Sequence, residues 1–324
     1  MPDSLKHFLV FNRASAESCG RIIISMNKAG IKIAPYAPLL IYQKGYTPEF
    51  VAKTLKEHRL QGLRIFAILK DDRLESLDFL KEYKFLTTLH IDLADDLDYT
   101  VLKELTDLKD LAIGGVGKQP IDLSQQTNLE KLSIRWRKKI YGIEACKKVH
   151  SLSLYGYNEM DLSAFRHMTL MKRLVVNASS IQSLDGIEGM DTLEEMAFGS
   201  CKKLVNIQAI NGKKALIKLD FESCPVIGDL SSLDNLPALE FLRFTDCKQI
   251  KSISFIDKLP SLRKLVFLGN TDIVDGDMGP ARRIKELFYK HLKHYNFKVD
   301  TPEADRISKE NLNKISQLSK NKSQ

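Results

Sequence analysis

Residues 198–204, 221–227 and 244–250 read FGSCKKL, FESCPVI and FTDCKQI. Three of the chain's five cysteines, Cys201, Cys224 and Cys247, therefore recur at equal intervals, each three positions after a phenylalanine. After Cys247 the apolar residues fall on every third position, at Ile250, Ile253, Ile256, Leu259, Leu262 and Leu265. After Cys224 the same step gives Ile227, Leu230, Leu233, Leu236, Leu239 and Leu242; after Cys201 it gives Leu204, Ile207 and Ile210, breaks at Lys213, and resumes at Leu216 and Leu219. A step of three fits neither the roughly 3.6 of an α-helix nor the period of about 2 of a strand. It fits tight 3-10-like turns, which run this long only where neighbouring units repeat them.

The unit is present along most of the chain. Short apolar pairs of the Leu-x-Leu kind stand at Leu89/Ile91, Leu111/Ile113, Leu132/Ile134, Leu152/Leu154, Leu174/Val176, Met196/Phe198, Leu219/Phe221, Leu242/Phe244 and Leu265/Phe267. Their spacing is nearly constant, and an earlier pair, Leu63/Ile65, precedes the first by a slightly longer step. On these residues the chain resembles the leucine-rich repeat family, in the short subclass of about 22 residues per unit seen in phosphatase-regulator and internalin-like proteins of bacterial type. The resemblance implies an α/β solenoid: a curved horseshoe with a parallel sheet on its concave face, 3-10 or irregular turns on its convex face, and a cap at each end. Elementary physics agrees. One unit cannot bury its apolar face alone, whereas stacking sets each unit's aliphatic side chains against the next, at roughly 1.5–3 kcal/mol for each one fully buried.

Four segments follow. Residues 1–62 lack the repeat and read as an N-terminal α/β cap, with HFLVF and IIISM as short strands and TPEFVAKTLKEH as a helix capped by Thr47, with Pro48 and Glu49 in its first turn. Residues 63–275 form the solenoid of about ten repeats. Within 276–299, ARRIKELFYKHLKHY puts Ile284, Leu287, Phe288, His291, Leu292 and Tyr295 on one helical face, which predicts a C-terminal capping helix. Residues 300–324 are a basic polar tail with the composition of a frayed or disordered segment.

The cysteines invite a redox or metal reading. In the resembled family the position three residues after the second strand leucine faces inward and satisfies the turn's backbone, commonly as asparagine or cysteine. Here that column holds Cys201, Cys224, Cys247 and Asn270, with Ser179 and Tyr157 upstream, while Cys19 and Cys146 lie off it. A thiol is a small hydrophobe with a weak donor and suits a buried turn. Three thiols in a line cannot all pair, and a column of parallel side chains does not converge on a metal as zinc requires. No metal or other cofactor is expected.

The net charge of +8 is concentrated at one end: residues 281–324 carry 11 Lys/Arg and 5 Asp/Glu, a balance of +6, leaving +2 for the rest of the chain. The first twelve residues, MPDSLKHFLVFN, have too short an apolar run for a signal peptide, and no run is long enough for a membrane span. The expectation is a cytoplasmic protein. GGVGK at 114–118 lacks the remaining residues of a phosphate loop, and His291 and His294 lack a third ligand nearby. No catalytic motif emerges, so no enzyme is expected.

What remains is a surface. Strand side chains alternate, so residues between and flanking the paired leucines point away from the core. This puts His90, Asp92, Arg135, Tyr155, Asn177, Asp220, Glu222, Phe241, Arg243 and Thr245 on the predicted concave face, among further neighbours such as Ser133, Ser153, Val175, Lys264 and Val266. Ala112, Gly114, Ala197 and Gly199 leave low spots. Tyr155, Phe241 and Arg243, flanked by Asp220 and Glu222, are of the types enriched at protein interfaces, which points to a partner protein. The resemblance implies a regulator, an inhibitor or an immunity-type protein. The alternative partner is nucleic acid, held by Arg135, Trp136, Arg137, Lys138 and Lys139 together with the basic tail.

Overall fold

The computed structural model describes residues 25–26, 32–33, 39–42, 45–67, 74–115, 117–227 and 229–298. HFLVF, the first part of IIISM, Cys19 and the tail from 300 onward lie outside the described residues. The chain divides into two compact units, Met1–Tyr157 with His167–Met171, and Asn158–Arg166 with Lys172–Gln324. Each is a stack of leucine-rich repeat coils.

In the first unit β1 (Ser25–Met26) runs antiparallel to β2 (Lys32–Ile33), and β2 antiparallel to β3 (Leu39–Ile41). From β3 the ladder is parallel through β4 (Gly62–Ala67), β5 (Thr88–Leu93), β6 (Asp110–Ile113), β8 (Lys131–Arg135) and β10 (Ser151–Tyr155). Register follows the repeat: Leu63, Leu89, Leu111, Leu132 and Leu152 come level, and all are buried. A small second sheet pairs β7 (Ile121–Asp122) with β9 (Ile140–Tyr141). Helix α1 (Pro48–Glu57) connects β3 to β4, with the Thr47 hydroxyl accepting a hydrogen bond from the Phe50 amide at 3.2 Å, and buries Val51, Thr54 and Leu55. The Tyr83 hydroxyl donates to the Pro48 carbonyl at 2.6 Å and ties that helix to the next coil. Leu40 stands opposite Leu63, one repeat length earlier, so the segment expected to lack the repeat contributes a strand in repeat register.

In the second unit β11 (Arg173–Asn177), β12 (Glu195–Gly199), β13 (Lys218–Glu222), β14 (Phe241–Thr245), β16 (Lys264–Leu268) and β18 (Glu286–Tyr289) form a parallel ladder in the same register, with β15 (Gln249–Ile250) beside β17 (Asp272–Ile273). The recurring phenylalanines form a buried stack: ring centroids of Phe198, Phe221, Phe244 and Phe267 lie 5.4, 5.4 and 5.8 Å apart, with planes within 17°. The cysteines form the ladder beside them. Each thiol donates to the strand carbonyl of the preceding coil, Cys201 to Val176, Cys224 to Phe198 and Cys247 to Phe221, all at 3.5 Å. The column closes on Thr271 rather than Asn270: Thr271 donates to the Phe244 carbonyl and accepts from the Cys247 amide at 3.1 Å, while Asn270 is exposed. Gly269, at φ +66°, takes the left-handed position that Asp246 holds one coil earlier, and Asn270 is the extra residue that moves the column on by one.

The same turn position carries strain elsewhere. Ala178, Ser200, Ser223 and Asp246 sit at φ 50–55°, where a Cβ crowds the following carbonyl, whereas Gly156 and Gly269 hold it freely. Another column, not foreseen from the sequence, opens the 3-10 turns: side-chain oxygens of Asp122, Asp161, Asn206 and Asp229 each accept from the amide two residues on. Hydrogen bonds from Ser124, then Lys103, hold the Asp122 carboxyl down to about 2. Its contribution to stability is therefore complete above the ordinary carboxylate range and fades as pH falls through about 2.

The break at Lys213 is real. Its side chain occupies the core column between Met190 and Leu236, almost wholly buried, and its ammonium donates to the Glu188 carbonyl at 2.6 Å. Desolvation lowers its pKa, only partly offset by Asp191.

The capping helix predicted over 276–299 is absent. Gly279–Arg283 is a 3-10 turn and β18 follows it. Leu287/Tyr289 stand one repeat length after Leu265/Phe267 and pair with them on β16, so the repeat runs one coil further. A helical stripe and a three-residue step share their i, i+3 positions, and the open edge of β16 decides between them by offering backbone hydrogen bonds. Tyr295 then closes this coil: its hydroxyl accepts from the Ile273 amide at 2.9 Å and donates to Asp272.

Two outcomes follow. Ala178→Gly removes the strained Cβ and should raise stability by up to about 1 kcal/mol in urea melts, whereas Ala197→Gly, within β12, should lower it by a similar amount. Burial pushes the Cys247 thiol up to about 12, and the adjacent Cys201 thiol and burial push Cys224 up as well. Both should resist iodoacetamide in the native protein and react once it is unfolded, as mass spectrometry of the alkylated peptides would show.

Candidate functional site

Between the leucines the strands present their alternate residues to the opposite, open face of the sheet. In the first unit one row runs Arg64, His90, Ala112, Ser133, Ser153 and the next runs Phe66, Asp92, Gly114, Arg135, Tyr155. Diagonal pairs knit the acidic side: Arg64 meets Asp92 at 3.4 Å and the His90 ring meets Asp110 at 3.1 Å. Asp92 is buried, and desolvation raises its pKa against the pull of Arg64 and His90. On the other side of Gly114 the Arg135 guanidinium lies 4.3 Å over the Tyr155 ring.

The basic-aromatic cluster at 135–139 is largely used within the fold. Trp136 is half-buried and packs edge-on against the buried Tyr157 at 4.7 Å. Arg137 donates to the carbonyls of Gly115 at 3.2 Å and Gln119 at 3.3 Å and lies over Tyr99, leaving Lys138 and Lys139 as the exposed cations. At the end of the GGVGK stretch the Lys118 amide, and the Gln119 amide after it at 2.8 Å, donate to the Asp96 carboxylate of the same chain. Among the described residues no three His, Cys, Asp or Glu side chains gather as a metal site, and no helix is long and apolar enough to cross a membrane.

In the second unit the rows are Arg173, Glu195, Lys218, Phe241, Lys264, Glu286, then Val175, Ala197, Asp220, Arg243, Val266, Phe288, then Asn177, Gly199, Glu222, Thr245, Leu268. Asp220 and Arg243, level on neighbouring strands, form a two-pronged ion pair at 2.8 and 2.6 Å, with Glu222 at 3.8 Å. Arg243 is therefore a locked element of the face. Asn177 sits over Gly199, whose missing side chain leaves it room. Thr245 is half-buried at the end of β14. Phe241 is half-exposed with the Lys218 and Lys264 ammonium groups 5.4 and 6.0 Å from its ring centre, and Lys264 also lies 5.4 Å from Phe288. Phe241, Val266, Leu268 and Phe288 thus make an apolar strip rimmed by cations, beside a fixed charge pair. Sequence reasoning missed Phe288 by assigning it to a helix; the signal available was the recurrence of Leu287/Tyr289.

No protein-family model and no curated protein sequence matches the chain. Among solved structures, it is similar to an internalin, InlF, from Listeria monocytogenes, at 16% identity and a TM-score of 0.42 over 89% of this chain and 94% of that one. The functional domain of InlJ from the same organism, described as including a cysteine ladder, gives 16% identity and a TM-score of 0.41 over 71% of this chain and 62% of that one. A leucine-rich repeat protein of Leptospira interrogans gives 14% identity and 0.39 over 70% and 77%.

A double-mutant cycle of Asp220→Ala and Arg243→Ala, read by urea denaturation, should give a coupling of about 1–2 kcal/mol, with Arg243→Ala the more damaging single change because it leaves the buried Asp220 carboxylate uncompensated, whereas Arg243 retains Glu222 when Asp220 is removed.

Proposed function

We propose that this leucine-rich repeat chain is a non-enzymatic binding module that takes a partner protein on the open face of its sheet. The centre of recognition is the strip of Phe241, Val266, Leu268 and Phe288 beside the Asp220–Arg243 pair. One observation carries this reading: Phe241 and Phe288 stand half-exposed on the open face, with lysine ammonium groups over their rings. An apolar centre with a polar rim is the composition of a protein-binding patch. The remaining residues expected to bind partner, His90, Asp92, Arg135, Tyr155, Asn177, Glu222 and Thr245, extend the same kind of face. Regulator, inhibitor and immunity-type protein all fit such a module.

The four described cysteines are free, which supports a cytoplasmic setting. A nucleic-acid partner draws less support, because Arg137 is already engaged and Trp136 packs into the fold.

Tagged wild-type chain and a Phe241→Ala/Phe288→Ala variant, incubated with cytosol of the native host, discriminate the readings. The expected result is a co-purifying protein that survives nuclease treatment and is lost from the variant while its circular dichroism is unchanged. A partner retained by the variant, or released by nuclease, would count against the assignment.

A further inference from the structure

The open faces of the two units carry arginines at Arg64, Arg135, Arg173 and Arg243. Three meet a carboxylate from the neighbouring strand: Arg64 meets Asp92, Arg173 meets Glu195 at 3.3 Å, and Arg243 meets Asp220. Arg135 is the exception among the described residues. It has no carboxylate and no hydrogen-bond acceptor, and its Nε is buried without a partner. The guanidinium nevertheless has a seat, its Cζ lying over the Tyr155 ring at 4.3 Å from the ring centre. Tyr155 is level with it on β10, and the backbone closes the same corner, the Trp136 amide donating to the Tyr155 carbonyl at 2.8 Å.

On its other flank Arg135 faces a glycine. Ile113 pairs with Ile134, so the next residue along, Gly114, lies level with Arg135 and offers no side chain. Beyond Gly114 stands Asp92, itself paired with Arg64, with His90 one row away and Asp110 two rows away. Between the unmatched guanidinium and Asp92 this row therefore carries only Gly114, with Ala112 in the row beside it. A guanidinium is a rigid fork whose geometry matches a carboxylate, and immobilising it beforehand removes most of the entropy cost of using it. A polyphosphate backbone would carry further negative charges toward Asp92, whereas a protein segment can present a single acidic side chain to Arg135 and donors beside it to Asp92.

We propose that Arg135, held over Tyr155, is a specificity site that receives an Asp or Glu carboxylate of the partner protein on the side where Gly114 lies level with it. The proposal rests on the reading of the open face as a protein-binding surface and assigns the first unit its part in it. It does not depend on Phe241 and Phe288, so the two can fail separately.

The test uses the full chain labelled with 15N-arginine, with Arg135 Nε assigned by triple-resonance spectra. It is titrated separately with N-acetyl-glutamate amide, inorganic phosphate and a short oligothymidylate. The expected result is a saturable shift of the Arg135 Nε signal with the glutamate derivative and little response at Arg243. Arg135→Lys, which keeps the charge but loses the fork, should weaken that binding about tenfold, and Tyr155→Leu, which frees the guanidinium, should weaken it also. No saturable shift in the wild-type chain would overturn the proposal, and this arm needs no variant to fold. Saturation at lower concentration by phosphate or oligothymidylate would overturn it in favour of a nucleic-acid phosphate site.

Discussion

Each coil of this chain can bury its aliphatic side chains and satisfy its strand backbone only against the coil before it and the coil after it. That nearest-neighbour constraint forces register, because a slip of one residue along a parallel ladder would turn every paired leucine out of the core and every polar neighbour into it. Leu219 therefore stands between Met196 and Leu242, and Phe221 between Phe198 and Phe244. The rest of the architecture is a set of solutions to that one demand.

The turn after each strand shows what register costs. The chain must reverse within a few residues and still satisfy its carbonyls, and it does so with an inward hydroxyl or thiol at Ser179, Cys201, Cys224, Cys247 and Thr271. The second residue after the paired strand position, Ala178, Ser200, Ser223, Asp246 or Gly269, takes a left-handed conformation, with or without glycine. The thiols act through hydrogen bonding and size; burial leaves those at Cys224 and Cys247 with raised pKa values and little reactivity. Lys213 shows the tolerance of such a core: one ammonium fits in an aliphatic column because its long stem reaches the Glu188 carbonyl.

A core that fixes alternate strand residues leaves the others free to vary. Most of the charged ones neutralise each other across adjacent strands, as in Arg64–Asp92, Arg173–Glu195 and Asp220–Arg243. What such pairing leaves over gives the face its character: the apolar strip around Phe241 and Phe288, and the guanidinium of Arg135 on its tyrosine. Three of the residues singled out from sequence as interface anchors divide accordingly. Phe241 remains presented, Tyr155 serves as the platform for Arg135, and Arg243 is locked to Asp220.

The sequence by itself determined the repeat, its register, the inward column and the parity that separates core from open face, because each is a periodic property carried by single positions. It also specified α1, through the local capping chemistry of Thr47. It did not decide the fate of 281–295, where helix and coil place apolar residues at common positions and the unpaired edge of β16 chooses. Nor could it move the column from Asn270 to Thr271, which depends on one extra residue in a turn. Which outward side chains cancel and which remain was settled only by tertiary structure, since an ion pair depends on what the next coil, a full repeat away along the chain, brings level with it.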